Sequence, residues 1–346
     1  MQILLFKAAV IALEVGKCAM EFYGLEDFSL KGDNSPLTKA DIASNELITK
    51  RLCGIANYKV CSEEAVLDYE ERKNLEYFWL IDPLDGTKDF LAKNGGWTIN
   101  IALIHKNEPI LGVVFAPCFN ELFIALKGVG SFKYEAAALE KLLESTQDEA
   151  VILEFLKTQK IRLDGMRKAE GGKQRADGGE VESVAENRGQ MVNVESQNPQ
   201  GPAYKVSGTH SQGDLSPCNK GEFTSTANLN IKPQSLIACD SMFHSTKETQ
   251  EFIKKYNLET IKLGSSLKIC ALAEGVADIY PRFNGTSEWD IAATDIILRE
   301  AGGKIISIDD KKELVYNKQS LRNPHFIAFA KGQVGGEIYK EVVESL

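Results

Sequence analysis

Apolar residues in the first part of the chain recur at the spacing of an amphipathic helix. Leu4, Ala8, Ile11 and Val15 follow one another at intervals of three or four residues, which places them on one helical face. The longest uncharged run, residues 8–13, is far shorter than the roughly 20 apolar residues that span a bilayer. The segment also lacks the basic start of a signal peptide. The pattern therefore predicts a core helix over residues 1–20 and no transmembrane segment.

A second helix and a series of strands are predicted in the rest of the first half. The helix covers residues 38–52, with Thr38 or Ser35 as its N-cap. Its buried stripe would consist of Ile42, Leu47, Ile48 and Leu52. Apolar runs typical of strands cover residues 77–81, 97–105, 110–117 and 121–126. Consecutive strands joined by short turns favour an antiparallel sheet on which the two helices pack.

The character of the chain changes after residue 135. Residues 136–159 are charged and helix-like, whereas residues 164–230 are rich in glycine and polar residues and poor in aromatic ones. Such a composition buries too little apolar surface to offset its ordering entropy. We therefore predict a largely mobile insertion over residues 136–232, with a small ordered subdomain as the alternative.

Strands and helices alternate after the insertion. Strands are predicted at residues 235–238, 277–280, 304–308 and 326–330, and helices at residues 246–256, 266–274 and 291–301. Such alternation is typical of an α/β layer. The chain is therefore divided into an N-terminal α+β half (residues 1–135), the insertion, and a C-terminal α/β half (residues 233–346).

The balance of charges restricts the classes of partner. Among the 346 residues, 40 are Lys or Arg and 49 are Asp or Glu, which gives a net charge of −9 at pH 7. This argues against a nucleic-acid polymer, whose phosphates require a basic surface, but a small phosphorylated ligand needs only a few local donors. The seven cysteines are scattered and form no C-x-x-C pair, so we expect reduced thiols in a cytoplasmic protein.

Candidate chemistry begins in the segment WLIDPLDGTKDF, residues 79–90. A strand would deliver Asp82 to its end, the following proline would turn the chain, and Asp85 comes three residues later. Gly86 and Thr87 would open a helix whose free N–H groups suit an anion. Carboxylate and carbonyl oxygens beside this helix suit a divalent cation. The alternative is an ordinary turn, because Asp-Pro and Asp-Gly pairs are common in turns.

Two further acidic sites lie elsewhere in the chain. Glu63 and Glu64 follow an apolar segment, and Asp290 lies at the start of a predicted helix. The alternatives are solvated charges for the glutamates and an N-cap for Asp290. Three acidic sites in separate elements suit a phosphatase that uses two or three Mg²⁺ ions, in which ions about 3.5–4 Å apart clamp the phosphate.

Two motifs resemble the signatures of the inositol monophosphatase superfamily of Mg²⁺-dependent, lithium-sensitive phosphatases. They are DPLDGTKDF at residues 82–90, and WDIAA at residues 289–293 followed by AGG at residues 301–303. Within the superfamily the chain is most similar to the bacterial 3'(2'),5'-bisphosphate nucleotidases. The segments that favour this branch are SPLTKAD (35–41), GSSLK (264–268) and AEGVADIYPRF (273–283). The resemblance covers about residues 5–135 and 233–335, and it implies an αβαβα five-layer sandwich.

The resemblance implies a set of metal ligands. Glu63, Asp82 and the Leu84 carbonyl would hold one Mg²⁺, and Asp82, Asp85 and Asp290 would hold a second. A third, weaker ion would depend mainly on Glu63.

Catalytic roles follow from the same resemblance. Thr87 with Glu63 would orient and deprotonate the attacking water, and the N–H groups of Gly86 and Thr87 would bind the phosphate oxygens. Asp41 would lie on the leaving-group side, where it helps position a second water. The acidic ligand residues themselves would also face the substrate.

The implied substrate is a phosphorylated nucleotide. The reaction would convert adenosine 3',5'-bisphosphate and water to AMP and phosphate, in the service of sulfate assimilation. Lys268 or Arg282 would neutralise the second phosphate; the alternatives are a solvated Lys268 and a surface ion pair for Arg282. The expected substrate-contacting residues are Glu63, Leu84, Asp85, Gly86, Thr87, Ser265, Lys268, Arg282 and Asp290.

Other interpretations stay open at the level of sequence. The same site could act on inositol monophosphate or fructose 1,6-bisphosphate, and a remote alternative is a non-catalytic binding protein. A homodimer and a peripheral association with the inner membrane also stay open. The chain departs from the family pattern at Gly96, where an acidic residue is usual, and at Asn284-Gly285-Thr286, where Gly-Pro-Thr is usual. These departures bear on substrate preference rather than on the metal ligands.

Overall fold

Three β-sheets organise the computed structural model of this chain, which describes residues 1–25, 28–32, 36–145, 150–151, 154, 161–165 and 235–344. The sheets contain seven, five and two strands. The strands are β1 Phe28–Leu30, β2 Pro36–Thr38, β3 Lys59–Ser62, β4 Tyr77–Asp85, β5 Thr98–His105, β6 Glu108–Ala116, β7 Glu121–Leu126, β8 Gly130–Glu135, β9 Ile161–Arg162, β10 Ile237–Ser241, β11 Glu259–Leu263, β12 Ile279–Arg282, β13 Lys304–Ser307 and β14 Phe326–Phe329.

Helices cover the faces of the two larger sheets. Those of the described residues are α1 Gln2–Met20, α2 Lys39–Ile55, α3 Tyr69–Arg72, α4 Thr87–Leu91, α5 Ala136–Ser145, α6 Lys247–Lys255, α7 Leu267–Glu274, α8 Glu288–Glu300 and α9 Glu337–Tyr339. None of them combines the length and the low charge that a membrane span requires.

The large sheet has the order β3-β4-β5-β6-β7-β8-β9. Only β3 and β4 are parallel, and the remaining neighbours are antiparallel. The small sheet has the order β11-β10-β12-β14-β13, with its first three strands parallel. The predicted antiparallel sheet and the predicted α/β half are both confirmed.

Alternate residues of β4 divide the core between the two faces of the large sheet. Trp79 and Ile81 pack with α1 and α2 on one face. Phe78 and Leu80 pack on the other face, where α7 and α8 fill the space up to the small sheet. The outer face of the small sheet is covered by α6 and the C-terminal helix. The layers therefore alternate α, β, α, β, α, as the resemblance implies.

Most of the predicted helices and strands lie where they were expected. The capping box that Thr38 forms with Asp41 confirms the predicted N-cap of α2. One member of its predicted stripe is wrong, because Ile42 is 48% exposed. Strands β3 and β11 were missed because both are sheet edges, where charged residues are tolerated and apolar runs are short.

Part of the predicted insertion joins the large sheet. Helix α5 follows β8 directly and buries Ala136 and Leu139. Ile161 and Arg162 pair with β8, and the Gly165 N–H donates to the Ala273 carbonyl at the end of α7. Residues 166–234 lie outside the described residues, so the domain boundaries stay a prediction.

Helix α8 lies directly on the large sheet where β6 has a glycine. A Cβ added to Gly112 would be 2.4 Å from the Ala293 carbonyl oxygen and 2.5 Å from Ile296 Cγ2. Backbone and buried side chain leave no room there, so the absence of a side chain sets how closely α8 approaches.

We expect Gly112→Ala to lower the free energy of unfolding by about 1–3 kcal/mol, since overpacking forces α8 away from the sheet. Urea denaturation monitored by circular dichroism measures the change. Gly54→Ala in α2 is the matched control, because a Cβ there meets no atom within 4 Å, and it should not lower stability. Equal midpoints for both variants would contradict this account of the packing.

Candidate active site

A cleft of about 330 Å³ opens between the two sheets, at the ends of β4, β10 and β12. Carboxylates lie on one side and basic side chains on the other. The acidic lining residues are Glu63, Asp82, Asp85, Asp89 and Asp290, and the basic ones are Lys88, His244, Lys268, Arg282 and Arg322. All predicted site residues except Asp41 line this cleft, and Asp41 contacts one that does.

Strand β4 delivers two of the predicted ligands through an irregularity. The strand does not end at Asp82, as the sequence suggested, but continues to Asp85 with a register shift between the two residues. This shift leaves Pro83 and Leu84 outside the ladder register, and the Leu84 N–H donates to Asp82 Oδ1 at 3.1 Å. The Leu84 carbonyl is thereby kept from pairing in register with β5, which suits the predicted role as a ligand.

Three carboxylates from separate elements meet in the cleft. Oxygens of Glu63, Asp82 and Asp290 all lie within 4.8 Å of one another. Glu63 follows β3, Asp82 lies on β4, and Asp290 lies in the first turn of α8. The convergence that spacing alone left open is therefore present.

Asp290 also caps its own helix. Helix α8 begins at Glu288, three residues earlier than predicted, and its N-cap is Ser287 rather than Asp290. The Ser287 N–H donates to Asp290 Oδ2 at 2.8 Å. The capping bond occupies one carboxylate oxygen and fixes the direction of the group.

Asp85 is held slightly apart by a polar network that the sequence did not reveal. Its Oδ2 accepts from Ser265 Oγ at 2.5 Å, from Asn100 Nδ2 at 3.1 Å and from Ser266 Oγ at 3.2 Å. Asn100 lies on β5, beside β4. Ser265 was predicted to meet the substrate, and in this structure its hydroxyl contacts Asp85 and Thr98.

The clustered carboxylates repel one another. Burial, followed by repulsion from Glu63, Asp85 and Asp290, raises the pKa of Asp82 well above its ordinary value. Burial, then Asp85 and Glu63, raises the pKa of Asp290 to about 8. Oxygen-only ligands with excess buried negative charge fit a hard divalent cation such as Mg²⁺.

One cation of the chain already faces this cluster. Lys31 Nζ donates to Glu63 Oε1 at 2.7 Å and to Glu64 Oε1 at 2.6 Å. Glu64 is therefore an ion-pair partner rather than a solvated charge. Lys31 lies between the two strands of the small hairpin, far from the motifs, so no sequence pattern pointed to it.

Thr87 and Asp41 are in contact. Thr87 Oγ1 donates to Asp41 Oδ1 at 3.2 Å, while Asp41 Oδ2 accepts from the Thr38 N–H at 2.7 Å. Burial raises the pKa of Asp41, and the hydrogen bonds from Thr38 oppose that shift. Gly86 precedes Thr87 with φ +92°, a conformation that favours glycine, so the turn into α4 depends on it.

The basic side of the cleft contains both predicted phosphate-binding residues. Lys268 is 95% buried, since its exposed fraction is 5%, and its Nζ donates to the Ser265 carbonyl at 2.6 Å. The alternative of a solvated Lys268 is therefore wrong. Burial and the nearby Arg282 lower its pKa to about 8. Arg282 Nε is buried without a hydrogen-bond partner among the described residues.

His244 and Lys88 complete this side, and neither was predicted. Lys88 Nζ lies 3.1 Å from His244 Nε2. Burial, followed by Arg282 and Lys88, lowers the pKa of His244 to about 4, so the imidazole is neutral at pH 7 and can accept from Lys88. Within the described residues, Lys88, Lys268 and Arg282 form no ion pair within 4 Å.

Comparisons with known proteins agree with this arrangement. The sequence matches the model of the inositol monophosphatase family over residues 2–176 and 179–345. It is 30% identical over 307 residues to the 3'(2'),5'-bisphosphate nucleotidase CysQ of Buchnera aphidicola, which covers 87% of this chain and 83% of that protein. It is 29% identical over 320 residues to the enzyme of the same name from Escherichia coli K12, with coverage of 91% and 95%.

Solved structures give the same result for the fold. CysQ from Bacteroides thetaiotaomicron superposes with a TM-score of 0.65 at 32% identity, over 94% of this chain and 97% of that one. An IMPase from Thermotoga maritima superposes with a TM-score of 0.58 at 19% identity, over 97% and 96% of the two chains. The second likeness concerns the fold alone.

The raised pKa values predict how pH and Mg²⁺ affect stability. In the metal-free protein the pKa of Asp290 is about 8, against 3.8 in its ordinary state, so the folded state binds more protons than the unfolded one. Stability should therefore fall as pH rises from about 4 to 8. Mg²⁺ replaces those protons, so its stabilising effect should grow over the same range.

Thermal unfolding at pH 5, 6, 7 and 8, in EDTA and in Mg²⁺, measures both trends. Asp290→Asn should weaken the pH dependence and the Mg²⁺ effect together. An Mg²⁺-induced rise in Tm that is the same at pH 5 and pH 8 would be incompatible with a metal site built on these carboxylates.

Proposed function

The chain belongs to the inositol monophosphatase family, and we propose that it is a Mg²⁺-dependent phosphatase that converts adenosine 3',5'-bisphosphate to AMP and phosphate. One observation carries the proposal: a single cleft has a carboxylate cluster on one side and cations without carboxylate partners on the other. A substrate with two phosphates fits both sides at once. The nucleotidases named CysQ support this substrate, because they share about 30% identity over most of the chain.

Two or three Mg²⁺ ions would be held by Glu63, Asp82, Asp85, Asp290 and the Leu84 carbonyl. When bound, they polarise the phosphoryl group and favour ionisation of the attacking water. The residues of the chain fix where the phosphate lies. The network around Asp85 and the helix cap of Asp290 hold these carboxylates in place before substrate arrives.

Thr87 and Asp41 are proposed to orient the attacking water. A hydroxyl has one proton to donate, and Thr87 donates it to Asp41. Its free lone pair can then only accept, so it accepts a proton of the water and turns the water oxygen toward phosphorus. This places Asp41 on the attacking side, whereas the resemblance placed it on the leaving-group side and paired Thr87 with Glu63.

The second phosphate is proposed to bind the basic side of the cleft. The buried Arg282 Nε lacks a partner, and a buried donor gains most from a charged acceptor. Lys268 and His244 lie close enough to Arg282 to shift in pKa because of it. A phosphate here would restore the balance of charge between the two sides. The six described cysteines are free thiols, which suits the reducing cytoplasm where we place the enzyme.

Phosphate release from purified protein tests the function. With Mg²⁺, we expect adenosine 3',5'-bisphosphate to be hydrolysed with a kcat/KM at least tenfold above that for inositol 1-phosphate or fructose 1,6-bisphosphate. Millimolar Li⁺ should inhibit the reaction. Preference for inositol 1-phosphate would keep the metal site and overturn the substrate, while no turnover of any of the three would favour a binding protein.

Asp85→Asn tests the metal site directly. We expect loss of turnover by at least 10³-fold, because a neutral amide cannot replace a carboxylate that the ions bridge, with a Tm close to that of the wild type. Asp309→Asn on an exposed turn is the matched control and should retain full activity. Turnover near the wild-type level in Asp85→Asn would refute the assignment.

A further inference from the structure

A fourth cation, Arg322, reaches the rim of the cleft from a loop that the function described above does not use. The loop joins β13 to β14, and Arg322 lines the cleft together with Gly285 and Ser287. We propose that Arg322 is a specificity-determining residue that binds an anionic group of the substrate away from the phosphate that is cleaved. The inference deepens the proposed function and rests on it for the identity of the substrate.

The guanidinium is held along the rim by the segment that precedes α8. Arg322 Nη1 donates to Ser287 Oγ at 3.3 Å, and the backbones of Ser287 and Arg322 form an isolated antiparallel bridge. A Cβ added to Gly285 would lie 2.2 Å from Arg322 Nη2. The guanidinium therefore occupies space that only a glycine at position 285 leaves free.

The loop itself is fixed, so only the side chain of Arg322 is free to move. The N–H of Asn323 donates to the Thr286 carbonyl at 2.8 Å, and the Glu288 N–H donates to the Leu321 carbonyl at 2.8 Å. Asn323 Nδ2 adds a bond of 2.7 Å to the Ser287 carbonyl. The residues on both sides of Arg322 are thus anchored to the segment that leads to the metal ligand in α8.

The charge of Arg322 has no carboxylate partner within 4 Å among the described residues. The chain has an excess of acidic residues, and many of its exposed cations are paired, as Arg51 is with Glu14. A guanidinium that meets only a hydroxyl keeps most of its donors available, in a planar arrangement that matches two phosphate oxygens. The expected ligand is therefore a phosphate on the leaving group.

The same rim joins Arg322 to the basic side of the cleft. Asn284, next to Gly285, donates from Nδ2 to the His244 carbonyl at 3.1 Å, and His244 contacts Lys88. An anionic group bound near His244 would thus lie beside the segment on which the guanidinium rests. Arg322 adds an outer donor to the phosphate-binding side rather than a separate site.

Steady-state kinetics with two substrates tests the proposal. Adenosine 3',5'-bisphosphate carries the second phosphate and adenosine 3'-monophosphate lacks it. We expect Arg322→Gln to raise KM for the bisphosphate about 5- to 20-fold, the range for one hydrogen-bonded charge pair at a partly exposed position. Its kcat, its Mg²⁺ dependence and its kinetics with the monophosphate should stay within twofold of the wild type. Arg322→Lys should be intermediate.

Gly285→Ala supplies an independent test of the geometry. Its methyl group displaces the end of a flexible side chain, so the fold should be unaffected. If it acts by moving the guanidinium, it should raise KM for the bisphosphate in the wild type and have no further effect in Arg322→Gln. Arg51→Gln removes an exposed arginine in an ion pair with Glu14 and should change neither substrate.

Three outcomes would overturn the proposal. They are equal losses for both substrates, which would indicate support of Ser287 alone, no change with either substrate, and additive effects of the two variants. If the wild type hydrolyses neither nucleotide, the proposed function fails first. Calorimetric binding of adenosine 5'-monophosphate and of adenosine, in Mg²⁺, then decides about Arg322: a loss of affinity in Arg322→Gln for the former alone supports its role, and equal affinities refute it.

Discussion

Mutual repulsion of buried carboxylates is the constraint on which the active site depends. Glu63, Asp82 and Asp290 come from three different elements, yet their oxygens lie within 4.8 Å of one another. No hydrophobic contact favours such a cluster, and the raised pKa values of Asp82 and Asp290 record its cost. The fold must therefore hold these groups together by packing and hydrogen bonds elsewhere. Divalent cations then convert the unfavourable arrangement into a binding site.

The supports are distributed over both halves of the chain. The register shift in β4 separates Asp82 from Asp85, and the network from Asn100, Ser265 and Ser266 fixes Asp85 from both sheets. Helix α8 brings Asp290 to the cleft because Gly112 allows it to lie on the large sheet. Each support uses the same physical device, a polar or steric contact that fixes direction where attraction between the ligands is absent.

Short-range patterns made much of this arrangement predictable. The motifs around Asp82 and Asp290 identified the metal ligands, and period-2 and period-3.6 patterns located most strands and helices. Contacts between distant segments were not predictable. Lys31 reaches Glu63 from an isolated hairpin, and Asn100 faces Asp85 only because of the pairing register between β4 and β5. Such neighbours depend on tertiary pairing, which a single sequence does not encode in any local period.

The basic side of the cleft resolves a conflict between an acidic chain and an anionic substrate. With a net charge of −9, the long-range field of the protein repels a nucleotide bisphosphate. At physiological ionic strength, however, that field is screened beyond about 8 Å. Cations inside the cleft act at shorter range than this and are partly desolvated, so their attraction is screened far less. Lys268 and Arg282 can therefore dominate binding, provided that they are not already neutralised by carboxylates of the protein. The absence of ion-pair partners for these two residues within the described part of the chain is thus a requirement of function: in an acidic protein, a cation has to be kept unpaired to recognise a phosphate.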